Sequence, residues 1–164
     1  MGVMDKLDFL EEYREDNRIE AKRAQGGLPH SLWETYSAFA NTLGGVILLG
    51  VAEAQDKSLF AVPLPDPQAL IDEFWRMVSD PCVVSANILQ PEDVHIFRAE
   101  GLDIVAIFVP RADFRHRPVY IGSDPYTGTY CRRGEGDWRC PRHEVEAMLA
   151  DRDDPDPLAG ISEL

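Results

Sequence analysis

Residues 31–53 constrain the fold more than any other part of this 164-residue chain. Residues 32–42 place large apolar side chains near the helical period, and Gly44-Gly45 follows directly. The next six residues, 46–51, read VILLGV, a wholly apolar run rich in branched side chains. Such a run is typical of a central strand that is covered on both faces. The segment therefore predicts a helix that turns through two glycines into a buried strand.

The residues at the ends of this helix support the same interpretation. Ser31 is followed three positions later by Glu34, which predicts a capping box at the start of the helix. Gly44 can supply the left-handed residue that ends a helix. Gly45, which has no side chain, lets the backbone pack closely. We expect both glycines to serve the scaffold rather than to bind phosphate, because no Gly-Lys-Ser/Thr sequence follows them.

Periodicity predicts the remaining elements and the fold class. We expect helices over 5–14, 68–79 and 143–151, and strands over 18–24, 93–98, 102–109, 117–121 and 128–132. These elements predict an α+β fold, a single domain with a mixed β-sheet and helices packed on it. The domain is expected to span 1–150. Residues 151–164 are acidic and contain prolines, which predicts a disordered tail or a linker.

Composition favours a soluble cytoplasmic protein. The chain is 45% hydrophobic and 27% charged, and it has no apolar run of the roughly 18 residues that a membrane span needs. Its first residues are acidic, unlike a signal peptide. The three cysteines are an odd number without a close pair. They predict a reducing compartment and argue against a disulfide framework or a zinc knuckle.

One segment departs from the net charge of −13. Residues 111–142 hold seven arginines against four acids, interleaved with aromatic residues. Arginine binds phosphate and aromatic rings stack on unpaired bases, so the segment predicts a nucleic-acid contact surface. An ordinary solvated surface explains the arginines equally well. The candidate contacts are Arg115, Arg117, Arg132, Arg133 and Arg139.

Several motifs, in order along the chain, resemble the Schlafen AlbA-like domain family, also described as divergent-AAA or RecG-like. Residues 36–45 read YSAFANTLGG and run into VILLGV, and residues 15–22 read EDNRIEAK. The C-terminal elements are RPVY at 117–120 and GTYCRRG at 128–134. Two positions depart from the family pattern. Ala21 stands where the family has a larger residue, and Glu53 stands where aspartate is common.

The resemblance implies a domain that binds nucleic acid, either DNA or tRNA, and that pairs into a homodimer. In bacterial relatives such a domain opens a transcriptional regulator with downstream ATPase-like and winged-helix parts. Animal Schlafens cleave tRNA and rRNA with an acidic trio, whose motif positions are matched here by Glu15, Glu20 and Glu53. Lys22 lies on the same predicted strand face as Glu20, and would stabilise developing charge.

Three function classes stay open. The first is nucleic-acid binding without chemistry. The second is an endoribonuclease that uses Mg²⁺ or Mn²⁺, since carboxylate oxygens are the ligands these ions prefer. In that case the metal ligands would be Glu15, Glu20 and Glu53, with Lys22 as a further catalytic residue. The third is a protein-interaction or dimerisation module. Against catalysis, Glu20 can simply pair with Lys22 or Arg18, and Glu53 can face water.

Overall fold

The fold is known from a computed structural model, which describes residues 17–153. It is a single α+β domain, as predicted. The helix expected over 5–14 and residues 154–164 of the expected tail lie outside the described residues. Within 17–153, none of the helices has the length and apolar character that a membrane crossing requires.

The strands are β1 (Ile19–Lys22), β2 (Gly45–Leu49), β3 (Val51–Glu53), β4 (Leu59–Ala61), β5 (Val94–Ala99), β6 (Leu102–Val109), β7 (Tyr130–Arg133) and β8 (Gly136–Arg139). The helices are α1 (Leu32–Asn41), α2 (Pro67–Val78), α3 (Pro125–Gly128) and α4 (Arg142–Asp153), with a short 3₁₀ helix at Pro91–Asp93.

The central sheet has the strand order β1-β2-β6-β5. β1 runs parallel to β2, and the other two pairings are antiparallel, so the sheet is mixed as predicted. Every residue of β2 is buried. Ile47 and Leu49 face the core formed with α1 and α2, whereas Val46 and Leu48 face a second cluster with β6. Cover on both faces explains why β2 has no polar position.

The two glycines after α1 have the predicted structural roles. Gly44 has φ +76°, and its N–H donates to the carbonyl oxygen of Phe39 at 2.8 Å. A Cβ at Gly45 would lie 2.8 Å from the Phe39 ring. The predicted capping box is wrong: Ser31 has helical backbone angles, and its side chain makes no capping hydrogen bond. Its Oγ instead accepts a hydrogen bond from Lys22 Nζ at 3.0 Å.

The apolar run 46–51 is not one strand, which corrects the prediction. β2 ends at Leu49, and Gly50 takes φ +84°, a conformation that glycine adopts without steric cost. A Cβ there would also lie 2.8 Å from Leu64 Cγ. The chain then enters the separate two-stranded sheet of β3 and β4. Glu53 therefore ends a hairpin strand rather than the central strand.

The C-terminal half is partly as predicted. α2, β5, β6 and α4 are present near their expected positions. Residues 117–121 are not a strand, because only isolated bridges form there, Tyr120 with Thr129 and Val84 with Ile121. The strand expected over 128–132 is β7, shifted to Tyr130–Arg133. Its partner β8 was not predicted. The peptide bond between Arg117 and Pro118 is cis.

The expectation that the cysteines form no disulfide is wrong. Cys131 and Cys140 are bonded, with their Cα atoms 5.6 Å apart. The β7–β8 hairpin places Cys131 opposite Trp138 and so brings Cys140 back beside it. Both cysteines pack against Val145 of α4. Spacing along the chain gives no sign of this proximity, because it arises from a hairpin that was not predicted.

Candidate functional site

A cavity of about 330 Å³ lies at the β1 edge of the central sheet, and we call it the edge cavity. Three parts of the fold contribute to it: β1, the β3–β4 hairpin and the β7–β8 hairpin. Its lining residues are Asn17, Ile19, Glu20, Ala21, Glu53, Lys57, Arg132 and Glu135. The structure thus brings together Glu20 and Glu53, two of the predicted catalytic acids. Glu15, the third, lies outside the described residues.

Arg132 is the most heavily hydrogen-bonded side chain of the edge cavity. Its side chain is only 7% exposed. Nε donates to the carbonyl oxygen of Asn17 at 2.9 Å, and Nη2 donates to that of Ile19 at 2.9 Å. Nη1 donates to Glu20 Oε1 at 3.0 Å and to Asp137 Oδ1 at 2.8 Å. The guanidinium also lies 5.1 Å from the centre of the Phe39 ring. Arg132 therefore fastens β7 to β1 and orients the Glu20 carboxylate.

Among the described residues, two cations lie beside Glu20, which is partly buried on β1. Besides Arg132, Lys22 Nζ lies 3.9 Å from Glu20 Oε2. Lys22 is itself 10% exposed and is anchored by its hydrogen bond to Ser31. The predicted arrangement of Glu20 and Lys22 on one strand face is present, and it forms an ion pair. Lys22 does not line the edge cavity directly, although it lies beside the carboxylate that does.

Asp137 is a site residue that sequence reasoning missed. It stands directly opposite Arg132 in the β7–β8 hairpin. Its Oδ2 accepts a hydrogen bond from Thr35 Oγ1 on α1 at 2.6 Å, while its Oδ1 accepts from Arg132. The position of Asp137 five residues after Arg132, across the glycines of RRGEGD, is a sequence signal for a cross-strand pair. It requires the hairpin to be recognised first.

The opposite wall of the edge cavity carries Glu53, Lys57 and Glu135. Glu53 is exposed. Lys57 Nζ lies 3.1 Å from Glu135 Oε1. The hydrogen bond to Glu135, followed by the charges of Glu135 and Glu53, raises the pKa of Lys57. Lys57 and Glu135 were not predicted, because each lies in a polar turn that looks like ordinary surface in the sequence.

The edge cavity supplies carboxylate oxygens, a donor type that fits Mg²⁺ or Mn²⁺. Glu20 and Glu53 are the described residues that would hold such an ion. Among residues 17–153, the one group of three or more potential ligands with donor atoms within 4.8 Å of one another is Cys131, Cys140 and Glu144. The two sulfurs of that group are bonded to each other, so as a disulfide they are not thiolate ligands. It is a different location from the predicted trio.

The predicted nucleic-acid contacts occupy different environments. Arg115 and Arg139 are exposed, and Arg117 is partly buried. Burial, and then the charge of Arg111, lower the pKa of Arg117. Arg133 is exposed but donates through Nη2 to both carboxylate oxygens of Glu144.

Arg132 differs from the other four, because its guanidinium is directed into the protein. Its contact with nucleic acid stays a prediction, and the role seen in the structure is positional.

Asn41 ties α1 to the segments that follow the sheet. Its Nδ2 donates to the carbonyl oxygens of Val119 and Tyr130, both at 2.9 Å. Its Oδ1 accepts from the Val119 N–H at 2.8 Å. Ser37 Oγ, one turn earlier, donates to the Val119 carbonyl oxygen at 2.6 Å and accepts from the Tyr130 N–H at 3.0 Å. One face of α1 therefore sets the position of β7, and through β7 that of the edge cavity.

Several solved chains match this fold, and two of them show the extent of the similarity. The N-terminal domain of a RecG-related protein from Nitrosomonas europaea is 32% identical, with a TM-score of 0.59, and the match covers 86% of this chain and 94% of that one. The DIP2311 protein from Corynebacterium diphtheriae is 19% identical, with a TM-score of 0.55. That match covers 93% of this chain and 30% of the DIP2311 chain, and it shows the fold alone. No curated protein matches the chain.

The family comparison covers most of the chain. Residues 15–141 match the family described as Schlafen, AlbA_2. This range includes β1, the β3–β4 hairpin and the β7–β8 hairpin, which are the parts of the fold that contribute to the edge cavity. The chain belongs to the Schlafen AlbA_2 family.

Proposed function

We propose that the chain is a nucleic-acid-binding domain, in a protein that acts as a bacterial transcriptional regulator. Family membership supports this proposal, as does a structural neighbour named for its relation to an ATP-dependent DNA helicase. One observation in the structure carries it. The arginine-rich segment 111–142 keeps most of its guanidinium groups at the surface, while its acids are engaged in hydrogen bonds within the protein.

Each acid of that segment has a hydrogen-bond partner within the protein. Asp113 accepts hydrogen bonds from the Arg115 N–H and lies 3.1 Å from His116 Nδ1. Asp124 accepts a hydrogen bond from the Tyr126 N–H, and Glu135 accepts one from Lys57 Nζ. Asp137 accepts from both Thr35 Oγ1 and Arg132 Nη1.

The positive charges of Arg115 and Arg139 are less neutralised by nearby acids than that of Arg133, which pairs with Glu144. Within residues 17–153, neither forms an ion pair. Positive charge is therefore displayed locally on an acidic chain, as phosphate binding requires.

Fluorescence anisotropy with labelled tRNA and duplex DNA, over a series of salt concentrations, tests this proposal. Affinity should fall steeply with salt, and Arg115→Glu and Arg139→Glu should each weaken binding about tenfold or more. Arg98→Glu is the matched control, since Arg98 is exposed on β5, at the opposite edge of the central sheet from β1. Binding that neither responds to salt nor distinguishes these variants from the control would contradict the proposal.

A second candidate is a divalent-metal-dependent endoribonuclease. It is favoured by the position of Glu20 and Glu53 in one cavity together with Arg132 and Lys57. A bound Mg²⁺ or Mn²⁺ would polarise a phosphate and acidify a water molecule. In the protein itself, Arg132 orients the Glu20 carboxylate, and Lys57 offers positive charge to a phosphate that enters the cavity.

Cleavage of tRNA with and without Mg²⁺ or Mn²⁺ separates this activity from binding alone. Glu53→Gln should abolish cleavage and leave tRNA affinity within about twofold, because the Glu53 side chain is exposed and makes no hydrogen bond within the described part of the chain. Glu92→Gln, on the exposed 3₁₀ helix, should cleave like the parent. If the parent cuts no RNA with either metal, the nuclease candidate is excluded and the binding proposal is unaffected.

The homodimer and a downstream ATPase-like or winged-helix domain belong to the same proposal. Sedimentation velocity over a range of protein concentrations measures dimerisation directly, with and without nucleic acid. A monomer under all conditions would remove the dimer and also the interaction-module alternative in its dimerising form. Loss of binding to tRNA and DNA together, with a dimer retained, would instead favour the interaction module.

A further inference from the structure

A second cavity of about 700 Å³ lies between the start of α1, the end of α2 and the β7–β8 hairpin. We call it the aromatic cavity. Its lining residues are Leu28, Pro29, His30, Trp33, Met77, Cys82, Val83, Ile121, Gly122, Thr127, Gly128, Tyr130 and Arg139. Its volume is within the range of pockets that bind small organic groups.

Three rings, those of His30, Trp33 and Tyr130, belong to this lining. Trp33 is fixed by a stacked contact with Phe74, whose ring centre lies 5.3 Å away. His30 is exposed, and Tyr130 is partly exposed. Trp33 is buried, so the rings of His30 and Tyr130 are the ones that can stack on a planar group in the cavity.

The charge of the aromatic cavity is opposite to that of the chain as a whole. The described residues that line it include Arg139 and His30 but no acid. The edge cavity, by contrast, contains three glutamates among its described lining residues. Arg139 stands directly opposite Tyr130 in the β7–β8 ladder, so a guanidinium and a phenol ring project from the same face of the hairpin. The lining therefore fits a ligand with a planar apolar body and an anionic group.

From these features we infer that the aromatic cavity accepts one unpaired nucleotide of a single-stranded nucleic acid. The base stacks against Tyr130 and His30, and its phosphate binds Arg139. This inference rests on the proposed function and deepens it, because Arg139 belongs both to the cavity and to the arginine-rich segment 111–142. Neighbouring phosphates of the same strand then meet the arginines outside the cavity. A fully paired duplex cannot place a base there without opening a pair.

An oligonucleotide that carries 2-aminopurine as its central base tests the inference. The single strand is compared with its blunt duplex for affinity, and 2-aminopurine fluorescence reports stacking. We expect the single strand to bind more tightly, with quenching on binding. Tyr130→Leu should reduce single-strand affinity at least about fivefold, abolish quenching and leave duplex affinity unchanged. Arg98→Gln should change none of these.

Four outcomes overturn the inference. Equal affinity for strand and duplex without quenching does so and leaves the proposed function standing, whereas no binding of either form rejects both. Displacement of the strand by a free nucleoside monophosphate, at concentrations comparable with those of the strand, would assign the cavity to a free nucleotide.

Because Tyr130→Leu can disturb β7, the melting temperature of this variant is measured, and His30→Ala, at an exposed position, provides an independent test. We expect His30→Ala to weaken the single strand alone, and an unchanged single-strand affinity in a folded His30→Ala would also overturn the inference.

Discussion

Arg132 on β7 and Glu20 on β1 form an ion pair with Nη1 and Oε1 3.0 Å apart, although the residues are 112 positions apart in the chain. The same guanidinium binds Asp137 and two carbonyl oxygens. Such a contact closes the fold at the edge cavity, because it joins the first described strand to the last hairpin. It also fixes where the Glu20 carboxylate points.

Replacing Arg132 should therefore destabilise the domain as well as alter the site. Arg132→Met leaves Asp137 and Glu20 without their shared cation, and should lower the free energy of unfolding by about 3 kcal/mol. Urea denaturation measures the loss. The matched control is Arg98→Met, which breaks an exposed pair with Asp103 and should cost less than about 0.5 kcal/mol. Similar losses of unfolding free energy in the two variants would show that Arg132 contributes no more to stability than an arginine in an exposed ion pair.

Asn41→Asp tests whether the amide group of Asn41 is needed to join α1 to β7. The amide donates to two backbone carbonyl oxygens, and a carboxylate would face them with no hydrogen to donate. We expect the free energy of unfolding to fall by about 2 kcal/mol near neutral pH. Asn87→Asp is the control: Asn87 is exposed, and its Oδ1 only accepts from the Leu89 N–H, a bond that aspartate keeps. Equal stability of the two variants would contradict this account.

The turn after α1 should not tolerate a side chain at Gly44. Gly44→Ala would combine a positive φ with a Cβ only 2.7 Å from the carbonyl oxygen of Val109. Gly101→Ala has a similar φ of +78° but meets no atom within 4 Å, so it isolates the backbone strain of about 1–2 kcal/mol. We expect Gly44→Ala to lower the melting temperature clearly more than Gly101→Ala. Equal shifts would mean that the crowding at Val109 is relieved without cost.

Tyr36 predicts a loss of stability at alkaline pH. Burial raises the pKa of its hydroxyl to about 12 from a usual value of 10.0. Because the unfolded chain loses this proton first, the stabilising effect is complete below about pH 10 and is lost as pH rises toward about 12. The stability advantage of the parent over Tyr36→Phe should therefore shrink by roughly 1 kcal/mol between about pH 9 and about pH 11. Denaturation curves at several pH values measure it, and a constant difference would contradict the pKa assignment.

Most of the scaffold could be predicted from the sequence because local signals agree there. The α1–β2 unit combines helical periodicity, a left-handed glycine and an apolar strand within about twenty residues. β5 and β6 are adjacent in the chain and are joined by Glu100-Gly101. In both cases the contacts that decide the structure lie close in sequence, so pattern alone is enough.

The predictions failed where tertiary packing decides the conformation. Gly50 lies inside an unbroken apolar run, and the strand ends there because Gly50 takes φ +84°. A Cβ at this position would lie 2.8 Å from Leu64 Cγ, so the position requires glycine. Ser31 looks like a helix cap, yet its hydroxyl bonds to Lys22 on a neighbouring strand. Gly134 ends the family motif GTYCRRG and Gly136 lies just beyond it, and neither glycine alone predicts β8 or the cysteine pairing that depends on it.

The candidate site was predicted in part for the same reason. Glu20 and Glu53 could be proposed because family motifs mark their positions, and both line the edge cavity. Lys57 and Glu135 lie in polar turns that carry no periodic signal, and Asp137 lies on β8, a strand that was not predicted. Their relation to the cavity depends on the hairpin geometry, which the chain order does not reveal.

The β7–β8 hairpin presents two successive cross-strand pairs on one face, Tyr130 with Arg139 and Arg132 with Asp137. The first pair lines the aromatic cavity, and Arg132 of the second lines the edge cavity. Tyr130 and Arg132 are two positions apart on β7, roughly 7 Å along the strand. Changes at Tyr130 and Arg132 are thus too close to be energetically independent. In a double-mutant cycle, we expect the effects of changes at Tyr130 and Arg132 to be non-additive. A substitution made in one cavity should therefore also alter binding in the other.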